Sequence, residues 1–161
     1  MALQSGVMAY EKTVLPNGLR IVTSALPYAP SISVVIFIGA GSRYESSQTS
    51  GIFHFIEHLC FKGAERRPTA QEISEAIEGV GGVLNGGTDK EITVYWIKVA
   101  KPHFEVGIDV LQDMVLHSRF DPAEVEKERN VIVEEINMSM DAPQQRVDLL
   151  IDEVVWPDQP L

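Results

Sequence analysis

The chain is poor in cysteine, in positive charge and in long apolar runs. Its one cysteine, Cys60, among 161 residues excludes an internal disulfide, so the fold must stand on packing or on a metal. No uninterrupted apolar run reaches about 18 residues, which argues against a transmembrane helix. Only 13 lysines and arginines face 23 aspartates and glutamates, for a formal net charge of -10. Phosphate backbones would be repelled, which argues against a nucleic-acid partner, and the same charge would suit basic peptides. The first residues show neither a basic n-region nor a long apolar h-region, so no signal peptide is read and the cytoplasm is the default compartment. Met1 to Val7 reads as an expression remnant, since Met8 opens the patterned region.

What remains is an ordinary globular composition, 45% hydrophobic and 22% charged, at a length that fits a single domain. Strands are expected at Lys12–Leu15 and Leu19–Ser24, joined by the hairpin signal Pro16-Asn17-Gly18. Ser31–Ala40 is apolar on both faces and reads as a buried central strand. A helix is expected over Gly51–Phe61, and Pro68-Thr69 opens another over Ala70–Gly79, with Ile73, Ala76, Ile77 and Val80 at helical spacing. A glycine-rich stretch, Gly79–Gly87, leads to a strand at Glu91–Val99. Pro102, Asp121-Pro122 and Pro143 open helices to about Ser118, Met140 and Trp156. The expected class is α+β, a mainly antiparallel sheet with helices packed on one face. The last residues form no closing element, so the chain reads as a fragment with sheet edges left open.

The helix GIFHFIEHLCF carries the chemistry. At about 100° per residue, its apolar residues cover most of the circumference, so it should be buried nearly all round. The remaining arc holds Glu57 at about -60°, His54 at about 0° and His58 at about +40°. Burying a carboxylate and two imidazoles is costly unless something pairs them. Histidines at i and i+4 can chelate zinc, and a glutamate beside them can act as general base on water. The order is HxxEH, the inverse of HExxH, and chance would supply it in about one per cent of sequences of this composition.

A catalytic zinc needs a third protein ligand and an open position. Helix Ala123–Met140 offers Glu124, Glu126, Glu128, Glu134 and Glu135. With Val125 at about 0°, apolar side chains run from Met138 at about 220° to Ile136 at about 20°. Glu128 at about 300° and Glu135 at about 280° fall inside that arc. Glu124 sits at its edge, at about 260°, and Glu134 lies outside it, at about 180°. Carboxylates in an apolar stripe should serve something buried, whereas Glu126 and Glu134 suit a solvated face. Helix geometry leaves open whether Glu128 or Glu135 binds metal. His103 and His117 have no partner spacing, Cys60 reads as a small core residue, and Tyr95 and Trp96 read as sheet packing. Arg43 and Glu45 are expected to form a local pair.

HFIEHLCFKG, followed well downstream by Glu135 within ERNVIVEEI, resembles the pitrilysin/insulysin family (M16) of inverted-motif zinc peptidases, and among its members bacterial relatives of the mitochondrial processing peptidase. LPNGLRIV, GAGSRYE, LNGGTDKEITVYW and DAPQQRVDLL agree, so the resemblance covers Val14–Leu161. It implies Zn²⁺ as cofactor, His54, His58 and Glu135 as ligands, Glu57 as general base, and Glu128 as a second glutamate orienting the site. It also implies an incomplete half of a two-domain clamshell, whose missing half could be the same chain, a partner subunit or a second copy in a homodimer. Asn85-Gly86 stands where the family usually has Asn-Ala, a change expected to be mild. A peptide substrate is expected to bind as an added strand beside the glycine-rich stretch, with Asn85 holding its main chain. The function implied is a zinc-dependent endopeptidase for peptides or unfolded polypeptides, with this chain alone being inactive. The alternative is a non-catalytic subunit or assembly module on the same fold.

Overall fold

The computed structural model describes residues 10–157, in two compact units that divide after Pro30. Met1–Val7 lies outside the described residues.

The first unit holds an antiparallel hairpin of β1 (Glu11–Val14) and β2 (Arg20–Thr23). Its turn forms as Pro16-Asn17-Gly18 predicts. Gly18 takes a φ of +87°, which suits a residue without Cβ, and the Asn17 carboxamide oxygen accepts from the Leu19 N–H at 3.1 Å.

The second unit contains a three-stranded antiparallel sheet in the order β3 (Ser31–Ile38), β5 (Thr93–Ala100), β4 (Val83–Thr88). Among the described residues five α-helices accompany it: α1 (Ile52–Cys60), α2 (Ala70–Glu78), α3 (Phe104–Leu116), α4 (Pro122–Asp141) and α5 (Pro143–Val155). None of the described helices is long and apolar enough to cross a membrane.

Strand β5 organises the core because its side chains alternate. Tyr95, Ile97 and Val99 are buried on one face, against Ile73 and Ile77 of α2, Val110, Leu111 and Met114 of α3, and Cys60 of α1. Burying each large side chain contributes about 1.5–3 kcal/mol. Helix α3 approaches closely because Gly107 faces the sheet; a Cβ there would stand 2.3 Å from Ile97 Cδ1. Thr69 and Glu72 form a complete capping box at the start of α2. The Asp121 side chain accepts from the Ala123 N–H at 2.8 Å at the start of α4.

One expectation about the sheet needs correction. The apolar run at Ser31–Ala40 is an edge strand, and β5 is the central one. Val34, Ile36 and Ile38 pack on the core, but Val35 and Phe37 are exposed. Apolarity on both faces shows that both want cover, and among the described residues cover reaches only one. Residues 83–88, which begin within the glycine-rich stretch, form β4. Among the described residues no strand pairs with its outer edge.

Helix α1 is only partly buried along its first half and becomes buried at Glu57, Leu59 and Cys60. The apolar residues of α4 are largely exposed, including Val131, Ile136 and Met138.

Candidate metal centre

The chain enters α1 through Gly51, whose φ is +84° and which offers no side-chain cap. Glu45 supplies it instead. Its carboxylate accepts from the Gly51 N–H at 2.6 Å and from the Phe53 N–H at 2.9 Å, satisfying donors that a helix start leaves without partners. Arg43 pairs with Glu91, in the connection between β4 and β5. The expected local pair of Arg43 with Glu45 is therefore replaced by two separate contacts, Arg43 with Glu91 and Glu45 with the start of α1.

One turn into α1, helical periodicity brings the three polar side chains together. One potential ligand atom from each of His54, Glu57 and His58 lies within 4.8 Å of the others. The imidazoles meet edge to face, with centroids 4.6 Å apart. Helix α4 brings the remaining carboxylates. Glu135 Oε2 lies 3.8 Å from His54 Nε2 and 3.7 Å from His58 Nε2. Glu128 Oε1 lies 2.8 Å from the other nitrogen of His58, Nδ1, and its Oε2 lies 2.7 Å from Lys62 Nζ. The two glutamates that periodicity could not separate thus address opposite edges of one ring.

Glu128 is 3% exposed. Burial pushes its carboxyl up, and the hydrogen bonds from Lys62 and His58 outweigh that, holding it below the usual carboxylate range. Glu57 is also buried, and one of its oxygens accepts from the Thr88 hydroxyl at 3.3 Å. Behind the site, burial pushes the Tyr95 phenol up, as does its hydrogen bond to Cys60 Sγ.

The donor set fits zinc. Ligands about 2.0–2.1 Å from one tetrahedral ion stand roughly 3.3–3.4 Å apart, close to the two nitrogen–oxygen separations seen between Glu135 and the histidines. Both imidazoles direct Nε2 toward the same carboxylate oxygen. Beside the cluster lies a cleft of about 350 Å³ lined by Glu57, His58, Phe61, Lys62, Leu84 and Asn85. Asn85 is exposed on β4, and its side-chain oxygen accepts from the Gly86 N–H at 2.8 Å.

The other candidates stand apart from the site. Glu124 pairs with Lys127, and Glu126 with Arg129, both within α4. Glu134 is exposed, as a solvated face predicts. His117, just past the end of α3, has Nδ1 3.7 Å from Asp113 of that helix, and Cys60 is buried in the core. Sequence reasoning missed Lys62 and Thr88, and paired Glu45 with Arg43 instead of with the start of α1. Only Lys62 left a signal, lying four residues beyond His58 on the same helical side.

Helices α1 and α4 thus bring two histidines and three carboxylates together as a candidate metal site, and comparison with known proteins points to a family of zinc proteases. Residues 20–161 match the family model Insulinase (Peptidase family M16), and the chain belongs to that zinc-protease family. It is 43% identical over 140 residues to the uncharacterized zinc protease YmxG of Bacillus subtilis, covering 87% of this chain and 34% of that protein. It is 41% identical over 143 residues to a probable mitochondrial-processing peptidase subunit beta of Arabidopsis thaliana, covering 89% of this chain and 25% of that one. A protease from Helicobacter pylori has a similar structure, with a TM-score of 0.80 and 29% identity over 86% of this chain and 33% of its own. Pitrilysin shares the fold, with a TM-score of 0.83 at 24% identity over 98% of this chain and 17% of its own. The chain thus spans about a third or less of the length of these relatives.

Proposed function

We propose that this chain is the N-terminal part of a zinc-dependent endopeptidase in which His54, His58 and Glu135 hold the metal and Glu57 is the general base. The observation that carries the reading is the approach of Glu135 Oε2 to within 3.8 Å of Nε2 on both histidines. Zinc held there would supply a Lewis acid that polarises the scissile carbonyl and acidifies water toward neutral pH.

Glu57 lines the cleft, which supports giving it the proton transfer, and the approach of Glu135 to both imidazoles supports giving it ligation. Thr88 holds one Glu57 oxygen and leaves the other to take a proton from the attacking water. Glu57 then gives that proton to the leaving amine, as general acid–base catalysis requires. Glu128, through His58 Nδ1, orients the ring that ligates. The open edge of β4 suits an extended peptide added as a strand, with its main chain held by Asn85.

Because the chain spans so little of its relatives, it is expected to be inactive alone, and the rest of the site to come from a further half or partner subunit, a second copy included. A cytoplasmic location belongs to this reading, since a lone buried thiol suits a reducing compartment. A non-catalytic module is disfavoured by the intact HxxEH residues and Glu135.

In the full-length enzyme, Glu57→Gln should keep zinc and lose most turnover; a fully active variant would remove Glu57 from the mechanism. Asn85→Ala should raise KM or lower kcat, and unchanged kinetics would remove it from the cleft.

A further inference from the structure

Lys62 lies two residues past the end of α1, and its ammonium turns toward α4. Nζ stands 2.7 Å from Glu128 Oε2, while Glu128 Oε1 stands 2.8 Å from His58 Nδ1. Lys62, Glu128 and His58 therefore form one chain of hydrogen bonds crossing from α1 to α4 and back. A carboxylate oxygen can only accept, so Nδ1 is the donor, and in the neutral ring Nε2 keeps its lone pair. Nε2 is also the nitrogen that faces Glu135.

A mere staple between helices would need only the Lys62–Glu128 contact. Here the second oxygen of the same carboxylate is spent on His58, and the carboxylate itself is largely removed from solvent; Glu128 is 3% exposed and the Lys62 side chain 29%. A buried carboxylate with one oxygen left without a donor would turn to find one. The ammonium satisfies that oxygen and leaves the other where His58 meets it.

We propose that Lys62 is a positioning residue for the metal site: by pinning one oxygen of Glu128 it holds the other on His58 Nδ1, so that the ring presents Nε2 to the metal. The inference rests on the reading of His58 as a ligand, but it makes a claim about the metal-free ring as well.

The test compares wild type, Lys62→Met, Lys62→Arg, Glu128→Gln and the Lys62→Met/Glu128→Gln pair in the intact protein. The first readout is the ¹⁵N spectrum of the metal-free histidine rings. Wild type and Lys62→Arg should show His58 protonated on Nδ1, and Lys62→Met should lose that single tautomer. The second readout is the zinc dissociation constant, measured by competition with a chromophoric chelator. Lys62→Met should weaken it about 10–100-fold, and Lys62→Arg, which keeps a donor and a charge, should restore most of the loss. On the Glu128→Gln background, adding Lys62→Met should change the constant by less than about twofold, because the lysine acts through the glutamate.

An unchanged His58 tautomer in Lys62→Met would overturn the proposal, as would an equally large zinc loss on the Glu128→Gln background. If Lys62→Met alone fails to fold, the double variant, which removes both charges, still decides the second point. If wild type binds no zinc, the metalloprotease reading fails while the ring spectrum still judges Lys62.

Discussion

Replacing Asp113 by alanine should destabilise the protein by about 3–5 kcal/mol, the usual cost of deleting one partner from a buried ion pair. The Asp113 side chain is fully buried on α3. It accepts from the Arg66 backbone N–H at 3.2 Å and from Arg67 Nη1 at 3.1 Å, and Arg66 Nε lies 3.4 Å away. Both arginines belong to the segment that leaves α1 for α2, so this cluster anchors the exit of the helix bearing His54 and His58. Without Asp113, the Arg66 backbone N–H would lose its side-chain acceptor and the largely buried Arg67 guanidinium would keep only Asp109. In a domain of this size about 1 kcal/mol moves Tm by roughly 2–4 °C, so a fall of roughly 6–20 °C is expected. Asp109 provides the control. It bonds the same arginines, but its side chain is 37% exposed, so Asp109→Ala should cost about 1 kcal/mol or less. Thermal unfolding of the metal-free variants, followed by circular dichroism, measures both. Equal and small shifts would refute the reasoning, since burial would then not set the cost.

Glu45→Ala should lower stability by about 0.5–2 kcal/mol, because two N–H groups at the start of α1 lose their acceptor; an unmoved urea midpoint would show that solvent replaces it fully. Asp109 also predicts a pH effect. Hydrogen bonds from Arg67 and Arg66 hold its carboxyl below the usual range, so its contribution is present above the unfolded pKa and is lost as pH falls through the folded one. Asp109→Asn should therefore flatten the acid limb of a stability–pH curve, and an identical limb would contradict the pairing. Gly86→Ala would put a Cβ 2.9 Å from Phe61 Cζ and 3.1 Å from the Val94 carbonyl oxygen. A loss of about 1 kcal/mol is expected as the ring gives way, and a stability gain would show that the cleft wall has room to spare.

Much of the fold was legible because its punctuation is local. Pro16-Asn17-Gly18, Pro68-Thr69, Asp121-Pro122 and Pro143 each mark a turn or helix start, and the elements begin within a residue or two of them. Strand order was less legible. The alternation in β5, with Tyr95, Ile97 and Val99 inward, marks the central strand better than the doubly apolar β3, because two apolar faces say nothing about how many neighbours a strand has. In the site, helical period alone gathers His54, Glu57 and His58. It also puts Glu128 and Glu135 on one face of α4, but not on opposite edges of His58, since that depends on how α4 crosses α1. Thr88 and Lys62 escaped for the same reason: each reaches a partner that only tertiary packing brings near.

Zinc content tests the central claim most directly. Elemental analysis of purified wild type, His58→Ala and Glu135→Gln, each dialysed with zinc and then freed of excess, should give about one zinc per chain for wild type and far less for both variants. A folded wild type without zinc, or variants that keep it fully, would contradict the assignment of His54, His58 and Glu135 as one metal site.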